Sequence, residues 1–129
     1  QTNCKLLIGS SPVPIPAAAA TAAGLDILSE HPHMRQQLWD NVAYAKNAFR
    51  DVGFENIPDT PVPIICLSRE GKDLSSLPQT LLEQNIAVHF IPGGSYTSAP
   101  TGGAIRIAIF SGHTKAQIDR LVAEIAHSR

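Results

Sequence analysis

Apolar residues recur along this chain with two different spacings, and the spacings separate helices from strands. Between residues 34 and 52 they recur every three or four positions, which predicts a long helix. Pro32 suits the first turn of this helix, and Gly53 suits its end, with Phe54 folding back onto the last turn as in a Schellman motif. The same spacing predicts a final helix from Thr114 towards Ala126.

Strict alternation predicts a half-buried strand at residues 104–110, where isoleucines occupy every second position. Arg106 is the one charged residue in this run, and it points to the face opposite the isoleucines. A second strand is predicted at residues 61–67, with its prolines near the start, where missing donors are tolerated. A third is predicted at residues 86–91, followed by a loop at residues 92–103 that is rich in glycine and proline.

Two shorter helices complete the pattern. The alanine-rich stretch after Pro16 is interpreted as a helix that packs closely against a neighbour, rather than as a low-complexity linker. A short amphipathic helix begins near Ser76 and ends at Asn85, which suits a left-handed cap. The chain is therefore expected to be one α+β domain over residues 1–129. It is a two-layer sandwich with a three-stranded antiparallel or mixed sheet and the helices on one face.

Composition narrows the classes of function. The 129 residues are 43% hydrophobic, and ten basic and eleven acidic residues give a net charge of -1 without any charged block. Neither a nucleic-acid partner nor a membrane span is expected. Cys4 and Cys66 are too few for a disulfide framework, which favours free thiols and a cytoplasmic location.

Most motifs that carry chemistry are missing from the sequence. The five histidines lack metal-ligand spacing, and neither a phosphate-binding loop nor a nucleophile elbow occurs. Thr114 and Gln117 form a capping box, and His113 just before it is interpreted as packing onto Ile118 rather than as a catalytic residue. No metal site and no catalytic residue are predicted in this chain.

Arg106 is the candidate that remains. A guanidinium group on a strand of isoleucines needs water, a carboxylate or a phosphate, and its planar fork suits a bidentate grip on a carboxylate. The alternatives are a solvent-facing arginine and an ion pair with an acidic residue such as Asp119.

Five segments resemble, in order, the carboxy-terminal end of the pyridoxal-phosphate-dependent α-oxoamine synthases. They are SSPVPIPAAAATAAGLDIL, HPHMRQQLWDNVAYAKNAFRDVGF, VPIICL, LLEQNIAV and GGAIRIAIFSGHTKAQIDRLVAEI. The resemblance implies the small domain of a fold-type I enzyme that condenses an amino acid with an acyl-CoA thioester. It also implies that Arg106 holds the substrate carboxylate. Ser11, with Ser10 as the second candidate, would reach the pyridoxal phosphate of the partner subunit in a homodimer.

The chain also departs from that family. None of its lysines, Lys5, Lys46, Lys72 and Lys115, stands in the context of the family's cofactor-binding lysine. The large cofactor-binding domain is therefore absent from this chain, which is expected to be inert on its own. Ala104 replaces a frequent second arginine, and the loop at residues 92–103 is longer than usual. Two alternatives stay open, the small domain of an aminotransferase and a free-standing, non-catalytic binding or interaction module.

Overall fold

The computed structural model describes residues 13–94 and 99–127, and the chain divides into two compact units between His33 and Met34. The elements are α1 (Ile15–Glu30), α2 (Pro32–Asp51), β1 (Ile64–Leu67), α3 (Leu77–Glu83), β2 (His89–Ile91), β3 (Ala104–Ala108) and α4 (Lys115–His127). The predicted order of helices and strands is confirmed.

The first unit contains α1, which confirms that the alanine-rich stretch is a helix. Pro16 lies in the first turn, where its missing N–H is not needed. No residue of α1 is buried, and Ile15 and Leu25 are among its exposed apolar side chains. The close packing predicted for its alanines is therefore not found in this unit, and helix propensity alone accounts for the helix.

The second unit is built on a three-stranded antiparallel sheet in the order β1-β3-β2. The strand that carries Arg106 is therefore the central one. Ile105 lies opposite Leu67 on one side and Phe90 on the other. This ladder confirms the antiparallel form of the predicted sheet.

All three strands are shorter than predicted, for local reasons. β1 starts at Ile64 because the prolines before it have no N–H to donate to a ladder. Pro63 contributes only its carbonyl, which accepts from the Ile109 N–H at 2.8 Å. β2 starts late because the Ile86 N–H donates to the Leu81 carbonyl at 2.9 Å and so belongs to the end of α3. β3 stops early because the Phe110 N–H donates to the His113 ring.

The core lies between one face of the sheet and the helices α2, α3 and α4. Its largest fully buried side chains are Phe49, Ile65, Leu67, Leu81 and Ile105. Trp39 and Tyr44 pack against this cluster, as the sequence indicated. The strands contribute to the core through alternate residues, so the helices of this unit cover one face, and the α+β two-layer prediction is confirmed.

Two of the helices end in the predicted left-handed residues. At the end of α2, Gly53 has φ 88°, and the Phe54 N–H donates to the Phe49 carbonyl at 3.0 Å. The rings of Phe49 and Phe54 also meet edge to face, with 5.9 Å between centroids, which completes a Schellman motif. Asn85 has φ 59° and repeats the arrangement at the end of α3.

Candidate functional site

The face of the sheet opposite the core carries a row of three polar side chains. Arg106 of β3 lies between Cys66 of β1 and His89 of β2, which are its direct partners in the two ladders. Residues that face each other in an antiparallel ladder share a face, and all three are exposed. The fold therefore places the predicted arginine at the centre of an open surface.

Among the described residues, Arg106 is not part of an ion pair. Within residues 13–94 and 99–127 its guanidinium makes neither a hydrogen bond nor a salt bridge. The alternative partner, Asp119, instead accepts a hydrogen bond of 2.6 Å from the Tyr44 hydroxyl. That hydrogen bond, with burial and the charge of Asp119, raises the pKa of Tyr44 above its usual value. An ion pair within the described part of the chain therefore does not explain Arg106.

A buried asparagine fixes the turn that follows β3. The Nδ2 of Asn41 donates to the carbonyl oxygens of Phe110, Ser111 and His113, at 3.1, 3.3 and 2.8 Å. Asn41 is only 7% exposed and lies on α2 beside Val42. The apolar spacing of α2 does not predict that Asn41 is buried. The sequence signal for this residue was its place in the Leu-Trp-x-Asn run, which is common in the family that the chain resembles.

The predicted capping box is present at the start of α4. The Gln117 N–H donates to the Thr114 hydroxyl at 3.3 Å, and the Thr114 N–H donates to the Gln117 side chain at 2.9 Å. The Nδ1 of His113 accepts from the Phe110 N–H at 3.2 Å, and the two rings meet edge to face. His113 thus closes the turn through Phe110.

The loop before β3 is held against residues 69–74 by close backbone contact. The Leu74 N–H donates to the Gly102 carbonyl at 3.0 Å, and a Cβ on Gly102 would overlap the Lys72 carbonyl oxygen. Gly103 has φ 78° and lies against the Phe90 ring. An open cleft of about 580 Å³ lies beside this contact. Both glycines are needed where the chain enters β3.

Two of the described lysines make contacts away from the row of Arg106. The Nζ of Lys46 donates to the carbonyls of Pro58 and Thr60 at 2.8 and 2.6 Å, and Lys46 is only 6% exposed. The Nζ of Lys115 lies 5.1 Å from the centroid of the Tyr44 ring. Neither amine lies on the face of Arg106.

The other predicted site residues, Ser10 and Ser11, lie outside the described residues. In the part of the chain that the structure covers, no group of three or more histidine, cysteine or acidic residues is placed to hold a metal ion. None of the described helices has the length and apolarity needed to cross a membrane.

Three comparisons with known proteins bear on this arrangement. The model of the aminotransferase class I and II family matches residues 3–125. An 8-amino-7-oxononanoate synthase from Thermoanaerobacter pseudethanolicus is 30% identical over 112 residues, which are 85% of this chain and 27% of that protein. A serine palmitoyltransferase from Bacteroides ovatus is 33% identical over 112 residues, covering 85% of this chain and 28% of that protein.

Among solved structures, a serine palmitoyltransferase from S. paucimobilis with a bound pyridoxal phosphate–myriocin aldimine shares the fold, with a TM-score of 0.75 at 20% identity. The match covers 93% of this chain and 30% of that one. The chain therefore spans less than a third of the length of each of these three relatives.

Proposed function

Because the chain belongs to the aminotransferase class I and II family, we propose that it is the C-terminal small domain of a pyridoxal-phosphate-dependent acyltransferase. In this proposal the complete protein condenses an amino acid with an acyl-CoA thioester. The names of the relatives support it, because a serine palmitoyltransferase and an 8-amino-7-oxononanoate synthase both match most of this chain.

Arg106 would bind the carboxylate of the amino-acid substrate. The observation that carries this role is its position on the open face of the central strand, exposed and without an acidic partner among the described residues. A guanidinium group donates two parallel hydrogen bonds to a carboxylate, which fixes the orientation of the ligand as well as its charge. A strand with a neighbour on each side is a rigid support for such a contact.

The remaining parts of the proposal concern residues beyond the described part of the chain. The cofactor would be held by a large domain that this sequence does not include. Ser11, or its neighbour Ser10, would contact the cofactor phosphate of the partner subunit in a homodimer. The cytoplasmic location also stays a prediction from the two cysteines.

The test is the substitution Arg106→Ala in the complete gene product, with amino-acid binding measured by calorimetry for glycine, L-alanine and L-serine. We expect affinity for the preferred amino acid to fall roughly 10- to 100-fold, since hydrogen bonds to charged groups contribute about 1.5–3 kcal/mol. Arg106→Lys should restore only part of the loss, because an ammonium group lacks the planar fork.

Arg120→Ala is the matched control. Its guanidinium donates to the Gln84 carbonyl at 2.7 Å on the helical side of the sheet, so amino-acid affinity should not change. Unchanged affinity in the Arg106→Ala protein would refute the carboxylate role.

An aminotransferase is the second candidate, and the description of the matching family favours it. The two reactions differ in their need for a thioester. An acyltransferase releases the free thiol of CoA when an acyl-CoA and an amino acid are both present, and a thiol reagent detects it. Transfer of the amino group to an oxo acid without CoA release would support the aminotransferase instead.

A further inference from the structure

The position of His89 extends the proposed carboxylate site onto a second strand. The Ile109 N–H donates to Pro63 next to β1, so the backbone groups of residues 105 and 107 also point towards β1. The backbone groups of Arg106 then point the other way, towards His89. The two residues therefore form the hydrogen-bonded type of antiparallel pair, whose Cα atoms lie about 5.5 Å apart.

This pair has no structural explanation among the described residues. Both side chains are exposed, and His89 has no side-chain hydrogen bond in the part of the chain that the structure covers. None of the three strands contains an acidic residue whose carboxylate could lie between Arg106 and His89. An arginine directly opposite a histidine, without a carboxylate between them, is not one of the cross-strand pairs that stabilise a sheet. An anion bound between the two side chains could accept hydrogen bonds from both.

We propose that His89 donates a hydrogen bond to the same carboxylate that Arg106 binds, so that the substrate bridges β2 and β3. This inference rests on the proposed function. A carboxylate offers about four lone-pair sites, of which a bidentate arginine uses two, so an oxygen remains available to the imidazole. An imidazole carries at least one N–H in every tautomer and protonation state, so it can always donate.

The experiment is a double-mutant cycle in the complete gene product, with glycine, L-alanine and L-serine as probes. His89→Ala should weaken binding of the preferred amino acid about tenfold, as expected for one hydrogen bond to a charged group. His89→Gln keeps an N–H donor and should recover most of that loss. In the Arg106→Ala background the further change His89→Ala should have a much smaller effect, because the two residues share one ligand.

An amine that lacks the carboxylate separates a direct contact from a general disturbance. Ethanolamine is serine without its carboxylate, ethylamine is the equivalent for alanine, and methylamine for glycine. Binding of the matching amine should be the same in the wild-type and His89→Ala proteins. Equal weakening of amine and amino acid would overturn the inference.

Cys66→Ser is the matched control, because Cys66 flanks Arg106 from the other strand in the same row. It should leave amino-acid affinity within about twofold of wild type. Loss of affinity in Arg106→Ala but not in His89→Ala would refute the role of His89 and leave the proposed function intact. If the wild-type protein binds none of the three amino acids, or if Arg106→Ala changes nothing, the proposed function fails and this inference with it.

Discussion

The two faces of β3 differ in whether packing explains the residues that they carry. Ile105 and Ile107 are 0% and 4% exposed and pack into the core of their unit. Arg106 is exposed between them in sequence and has no partner among the described residues. Packing therefore accounts for the first face, whereas nothing in the described fold requires the residues of the second.

A residue that folding does not require is a candidate for binding. The open face holds an arginine, a histidine and a thiol in one row, and the strands that carry them have no acidic residue. The comparison implies that substitutions on the core face should reduce stability, whereas substitution of Arg106 or His89 on the open face should reduce binding.

The largest expected effect is that of Ile105→Ala. Ile105 is completely buried on the central strand, so the substitution removes apolar contacts and leaves a cavity. We expect the free energy of unfolding, measured in urea, to fall by about 2–5 kcal/mol. Ile105→Val should cost only about 1 kcal/mol, because it removes a single methylene group. A loss below about 0.5 kcal/mol for the alanine variant would show that this face is not tightly packed.

A smaller effect is expected for Asn41, which holds the turn at the end of β3. Asn41→Ala removes the donor of three hydrogen bonds and should cost about 1–3 kcal/mol. Asn41→Asp should cost more near neutral pH, because a carboxylate would face three carbonyl oxygens.

The pH dependence of the aspartate variant provides a check on that explanation. The surrounding carbonyls would raise the pKa of the introduced carboxyl in the folded state, so the unfolded state ionises at lower pH. The extra loss of stability should therefore be present at about pH 7 and shrink as the pH falls through the folded-state pKa. Urea denaturation at about pH 7, and again at a pH below the folded-state pKa, measures this difference in the free energy of unfolding. An equal loss at both would show that the carbonyls do not act on this position.

Local signals in the sequence were sufficient for the helices and their ends. Gly53 and Asn85 adopt the predicted left-handed conformation, and Thr114 and Gln117 form the predicted box. Alternation along residues 104–110 also gave the correct face for Arg106. Each of these features depends on residues that are close together in the chain.

Features that depend on distant residues were not predicted. The order β1-β3-β2 and its register bring Cys66 and His89 beside Arg106, and no spacing in one strand specifies its partners. Asn41 and Lys46 are buried at the edge of the apolar stripe of α2 because carbonyl oxygens from two separate turns meet them there. A helical pattern does not contain that information.

The smallest expected effect on stability is that of Arg106→Ala, one position away from the largest. The substitution breaks no hydrogen bond or ion pair among the described residues, and the side chain is exposed. We expect the free energy of unfolding to change by no more than about 0.5 kcal/mol in urea denaturation. The same variant should lose amino-acid affinity, so a single protein sample separates the two roles. A stability loss comparable to that of Ile105→Ala would contradict the division between the faces, because Arg106 would then be part of the packing that holds the sheet together.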